Sequence, residues 1–100
     1  MWGVIDFVPD SDFPDIHNQA VIQSPSGTVV VIGRERELVR LYITLPEGKF
    51  TDPATGRVDL TRASPEMVLK EGQRIMSPYK LEVKDGQFDW WTIYVGESRH

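Results

Sequence analysis

Apolar and polar positions alternate along most of this chain, and the alternation predicts strands. Trp2 to Val8 places Trp2, Val4 and Asp6 on one face and Gly3, Ile5 and Phe7 on the other. Pro9 should end that strand, and residues 10–19, rich in Ser, Pro, Asp, Asn and Gln, have loop composition, with Phe13 and Ile16 pinning the loop to the body. Ala20 to Ser24 reads as a second strand. Pro25-Ser26-Gly27 is a turn, because proline is pre-set for its first central position and glycine closes it. Thr28 to Gly33 returns antiparallel and is mostly β-branched. Leu38 to Leu45 then alternates Val39, Leu41, Ile43 and Leu45, the core face, with Arg40, Tyr42 and Thr44, a polar face that suits a pocket or an interface.

The period changes from two to 3.6 after a long connection, residues 46–61. A structureless segment of about fifteen residues is functional or mobile. Ser64-Pro65-Glu66 is a helix start: a serine cap, proline at the first helical position and an acid in the first turn. Val68, Leu69, Gly72, Ile75 and Met76 follow the helical stripe, with Met67 and Met76 as core fillers, and Ser77-Pro78 stops it. Gly72, unfavourable inside a helix, marks close packing on the sheet. Tyr79 to Lys84 alternates again, Asp85-Gly86 signals a hairpin turn, and Phe88 to Val95 is the last strand. The expected fold is α+β: an antiparallel sheet of about six strands with one main helix on one face, in a single domain spanning residues 1–100. The other face, bearing Tyr42, Trp90 and Tyr94, needs another partner.

Composition narrows the function. With a net charge of −4 and no basic stripe on any element, the chain does not suit nucleic acid. It contains no cysteine, which removes disulfides and thiolate metal sites and fits a reducing, cytoplasmic setting. No apolar run approaches the ~20 residues of a membrane span. Residues 1–10 have no basic region ahead of an apolar one and carry early acids, unlike a signal peptide. The histidines, His17 and His100, are too far apart in sequence to suggest zinc, and no metal is expected.

Candidate chemistry gathers around Arg34 and Tyr42. The tight turn through Arg34, Glu35, Arg36 and Glu37 puts a guanidinium and a phenol into one neighbourhood, where a cation can bind or ionise an aromatic hydroxyl or enol. The plain alternative is an exposed charged turn beside a half-buried strand tyrosine. Arg40 shares Tyr42's face; it binds an acidic ligand group or pairs with Glu82 or Glu37. Trp90 and Trp91 point opposite ways, so one is core and the other lines a pocket. His17 is a spare base or a solvated loop residue. Asp12 and Asp15 are loop caps.

Several segments together resemble the middle, substrate-binding region of flavin-dependent aromatic hydroxylases of the phenol 2-monooxygenase type, in their fungal branch. They are Trp2-Gly3-Val4-Ile5-Asp6, Asp12-Phe13-Pro14-Asp15-Ile16, Ser24-Pro25-Ser26-Gly27, Ile32-Gly33-Arg34-Glu35 with Leu38-Val39-Arg40-Leu41-Tyr42, and Asp89-Trp90-Trp91 with Tyr94. The likeness runs from residue 2 to 94, broken mainly by the loop 46–61. It implies that Tyr42 bonds a phenolic oxygen and that Arg34 lies beside it and the flavin. It further implies a wall for an aromatic or polyketide-like molecule of secondary metabolism, built from Val30, Ile32, Arg40, Trp90, Tyr94 and His17.

Departures from the family pattern qualify this. The family usually has proline at Gly33 and arginine at His17, and loss of the proline should loosen the turn that aims Arg34. The family's flavin segment after Tyr94 is replaced by Val95 to His100, and Gly-x-Gly-x-x-Gly occurs nowhere. The chain is therefore expected to hold no cofactor by itself, although the family uses FAD. It is either a middle domain cut from a hydroxylase or a small descendant that kept the pocket wall. The initial Met1 and the altered tail weigh toward the descendant. Three roles follow: a cofactor-free isomerase, cyclase or dehydratase using Tyr42 and Arg34; a non-catalytic module that binds an aromatic ligand or docks on a hydroxylase; or a dimerisation remnant. A homodimer covering the second sheet face is expected.

Overall fold

The computed structural model describes residues 1–14, 16–34, 37–46, 50, 52, 54, 55, 57 and 63–94. The order is β1 (Trp2–Ser11), β2 (Ala20–Ser24), β3 (Gly27–Gly33), β4 (Val39–Thr44), α1 (Pro65–Met76) and β5 (Leu81–Tyr94). Among these residues the strands form one antiparallel sheet of five, ordered β2-β3-β4-β1-β5. The α+β class and the single covering helix are as the sequence implies.

Two boundaries differ from the expected ones. The segments before and after Asp85-Gly86 do not fold back on one another. They continue as one strand along β1, with Phe7 opposite Phe88 and Pro9 opposite Val83. Residues 84–87 thus bulge opposite Val8, and Gly86 supplies the positive φ of 68° that the bulge needs. The final two expected strands are one, and it starts at Leu81 rather than at Tyr79. Nor does Pro9 end β1, which runs to Ser11. Pairing with β4 stops at Phe7, so Pro9 has a strand neighbour on one side only, where a missing N–H is tolerated.

α1 begins as its sequence predicts: Met67 N donates to Ser64 Oγ at 3.2 Å, and Pro65 follows the cap. It stops at Met76, before Ser77-Pro78, whose peptide bond is cis. Its apolar stripe, Val68, Leu69, Ile75 and Met76, packs against Ile5, Phe7, Val31, Leu41 and Ile43 in a single core. The helix approaches the sheet closely at two glycines. A Cβ on Gly72 would come within 2.8 Å of Ile43 Cδ1, and one on Gly3 within 2.6 Å of Val68 Cγ1. Ile16 is buried in the core, and Phe13 meets Tyr79 edge-on with ring centroids 5.0 Å apart, so the 10–19 loop is pinned as expected. Most of the 46–61 connection, the turn residues Glu35 and Arg36, Asp15 and residues 95–100 lie outside the described residues; Phe50 is buried.

Candidate functional site

α1 covers one face of the sheet, and strand alternation sends the candidate residues to the other. The registers set them in rows across the sheet. Trp2 lies beside Tyr94; Val30, Tyr42, Val4 and Thr92 form the next row; Ile32, Arg40, Asp6 and Trp90 the one after. Trp2, Val30, Ile32, Tyr42 and Tyr94 line an open, almost wholly apolar groove of about 480 Å³. Tyr42, half-buried, brings it a phenol.

The groove ends against a charged cluster. Asp6, only 3% exposed, sits between two arginines. Arg40 holds it bidentately, Nε donating to Oδ1 at 2.8 Å and Nη2 to Oδ2 at 3.0 Å. Arg34 Nη1 donates to the same Oδ2 at 3.1 Å. The Arg40 guanidinium also lies over Trp90, 5.3 Å from the ring centre. Arg40 is held above arginine's ordinary value, first by its hydrogen bond to Asp6 and further by the Tyr42 phenol, against the opposing effect of partial burial. The turn that delivers Arg34 is closed by its own N–H, which donates to the Leu38 carbonyl at 2.8 Å.

Of the residues expected at the site, Val30, Ile32, Tyr42 and Tyr94 share the groove, and Arg34, Arg40 and Trp90 surround Asp6. Arg40 pairs with Asp6 rather than with Glu82 or Glu37; Glu37 instead faces Lys84 at 3.9 Å. His17 is exposed and does not line the groove. Its backbone carbonyl lies over Gly33, where any Cβ would strike it, so the loop and the glycine are fitted to each other. Trp91 packs on the core side and Trp90 stands 43% exposed on the groove side.

Sequence reasoning missed Trp2 and Asp6 as site residues. Asp6 did carry a signal: an acid inside the apolar run Gly3 to Val8 must find a cation when buried. A second cleft, of about 320 Å³, was also unforeseen; it opens at the bulge, between Glu37, Leu38, Lys84 and Phe88. No cluster of three or more metal-ligating side chains occurs among the described residues. No helix among them is long and apolar enough to cross a membrane.

No family model matches the chain. Individual proteins do. The phenol 2-monooxygenase fsqG of Aspergillus fumigatus is 37% identical over 93 residues, which is 93% of this chain and 15% of fsqG. The 3-hydroxybenzoate 4-monooxygenase of Comamonas testosteroni is 37% identical over 94 residues, 93% of this chain and 14% of that enzyme. The FAD-dependent monooxygenase imqC of Aspergillus flavus is 41% identical over 95 residues, 93% of this chain and 40% of imqC. This chain is homologous to one region of FAD-dependent monooxygenases. It spans 14–40% of the length of these relatives. The sequence carries no Gly-x-Gly-x-x-Gly, and α1 begins at a Ser64 cap with no glycine-rich turn before it.

Proposed function

We propose that this FAD-monooxygenase region binds a small aromatic molecule on the uncovered face of its sheet, with the ring over Val30 and Ile32 and a ring hydroxyl at Tyr42. The observation that carries this is the apolar groove with one phenol in its wall, bounded at one end by the Arg34–Asp6–Arg40 cluster. The relatives' names, a phenol and a 3-hydroxybenzoate monooxygenase, support an aromatic ligand. The chain would contribute one wall of a substrate site. Cofactor-free isomerisation through Tyr42 and Arg34 is the weaker reading, because among the described residues no carboxylate or imidazole that could act as a base lines the groove.

Phenol titrated into the 100-residue chain, followed by amide and methyl chemical shifts, tests the proposal. Shifts should concentrate at Val30, Ile32 and Tyr42. Tyr42→Phe should weaken phenol about three- to tenfold, the worth of one neutral hydrogen bond, and leave toluene unaffected. Shifts scattered elsewhere, or an unchanged phenol affinity in Tyr42→Phe, would overturn it.

A further inference from the structure

β1 loses the regular company of both neighbours at Val8. Its pairing with β4 stops at Phe7, opposite Val39, and its pairing with β5 is broken by two irregularities on either side of Phe7. The first inserts Asp89 between Trp90, which is opposite Asp6, and Phe88, which is opposite Phe7. The second sets residues 84–87 against Val8 alone, with Gly86 at its positive φ. Where the strands part lies the cleft of about 320 Å³, at the small end of the range for ligand sites. It shares no lining residue with the groove. Bulges re-aim side chains, and here they bring Gln87 and Asp89 into the lining.

The lining divides by chemistry. Val8, Leu38 and Phe88, each partly buried, give it apolar surface beside the buried Phe7. Glu37, Lys84 and Asp89 give it charge. Lys84 Nζ lies 3.9 Å from Glu37 Oε1, so those two charges offset each other. Among the described residues Asp89 bonds no cation, which leaves the cleft one surplus negative charge in a chain whose net charge is −4. We infer that this cleft binds a small primary ammonium carrying an apolar arm. The ammonium sits on the Asp89 carboxylate with the Gln87 side-chain carbonyl as a second acceptor, and the arm lies against Val8, Leu38 and Phe88. The ring of Phe88 favours the cation further. This is a second site, independent of the groove.

The test titrates the full chain with cyclohexylmethylammonium and, separately, with cyclohexylmethanol, which keeps the shape and removes the charge, following amide and methyl chemical shifts. Shifts from the ammonium should concentrate at Val8, Leu38, Gln87 and Phe88 and spare Val30 and Ile32. At neutral pH and low salt the ammonium should bind about fivefold more tightly than the alcohol, as for one exposed charge-assisted contact. That ratio should fall toward one in about 0.5 M salt and in Asp89→Asn. Asp89 is exposed and asparagine has its shape, so this variant keeps the fold. Leu38→Ala should instead weaken both compounds alike, by removing apolar surface from the arm. Equal affinities in the native chain, a ratio that survives Asp89→Asn, shifts centred outside the cleft, or binding of neither compound would each overturn the amine site and leave the groove reading intact.

Discussion

Asp6 shows how one residue can hold a site in place. A carboxylate this buried is tolerable only because three N–H donors from two arginines reach it. Asp6→Ala leaves Arg40 facing Trp90 without a counter-ion and should destabilise the fold by about 2 kcal/mol in urea unfolding. That is less than the roughly 3–5 kcal/mol of a fully buried pair, since both arginines are partly exposed. Arg34→Met should cost under about 1 kcal/mol by the same measurement. The pH dependence has a definite sign. Arg40's value is raised in the fold, so the pair's contribution is fully present below arginine's ordinary value and is lost only as pH climbs through the raised one. No alkaline loss at accessible pH belongs to this guanidinium. Gly33 makes the opposite kind of demand, for nothing at all beyond the backbone. Because its Cβ would fall on the His17 carbonyl, Gly33→Ala should lower stability by about 2 kcal/mol and shift the amides of residues 16–18.

Among the elements, those specified by near neighbours were readable in advance. The Ser64-Pro65-Glu66 start needs only three residues and their own backbone, and the alternation of β4 sorts Val39, Leu41 and Ile43 from Arg40 and Tyr42 without reference to any partner. What could not be read depends on partners distant in sequence. Asp85-Gly86 supplies a positive φ, and that serves a hairpin turn or a bulge equally well. The choice falls to the bulge because β1 runs on past Pro9 to Ser11 and offers Leu81 to Val83 a pairing edge. Asp6 was likewise visible as an acid on the Val4 face, but its partners emerge only from the register that sets it opposite Arg40. The bulge makes a separable prediction. A Cβ on Gly86 meets nothing within 4 Å, so Gly86→Ala should cost about 1 kcal/mol from backbone conformation alone, and Gly86→Asn distinctly less, because asparagine tolerates a left-handed backbone. Equal unfolding midpoints for the two variants would contradict this account. At the other end of the core, Ser64→Ala should cost about 1 kcal/mol through loss of the cap to Met67.

At the scale of the whole molecule, α1 lies on one face of the five-stranded sheet, and among the described residues no element lies over the other. Away from the Arg34–Asp6–Arg40 cluster, that face is more apolar than the solvated surface usual for an antiparallel sheet. It carries Trp90 at 43% and Tyr94 at 52% exposure beside the groove. In water such a patch drives association. We propose that isolated chains pair through it, a second copy supplying a layer there, and that this homodimer uses the same surface on which aromatic-ligand binding is proposed. Sedimentation velocity across the micromolar range should show a concentration-dependent dimer, and Trp90→Ser combined with Tyr94→Ser should return it to monomer without lowering the unfolding midpoint. Both side chains are partly in water already, so their removal takes little from the core. A native chain that stays monomeric at high concentration would contradict the pairing. A dimer indifferent to both serines would place the contact on another surface, such as the outer edge of β2, where Val21 stands 59% exposed.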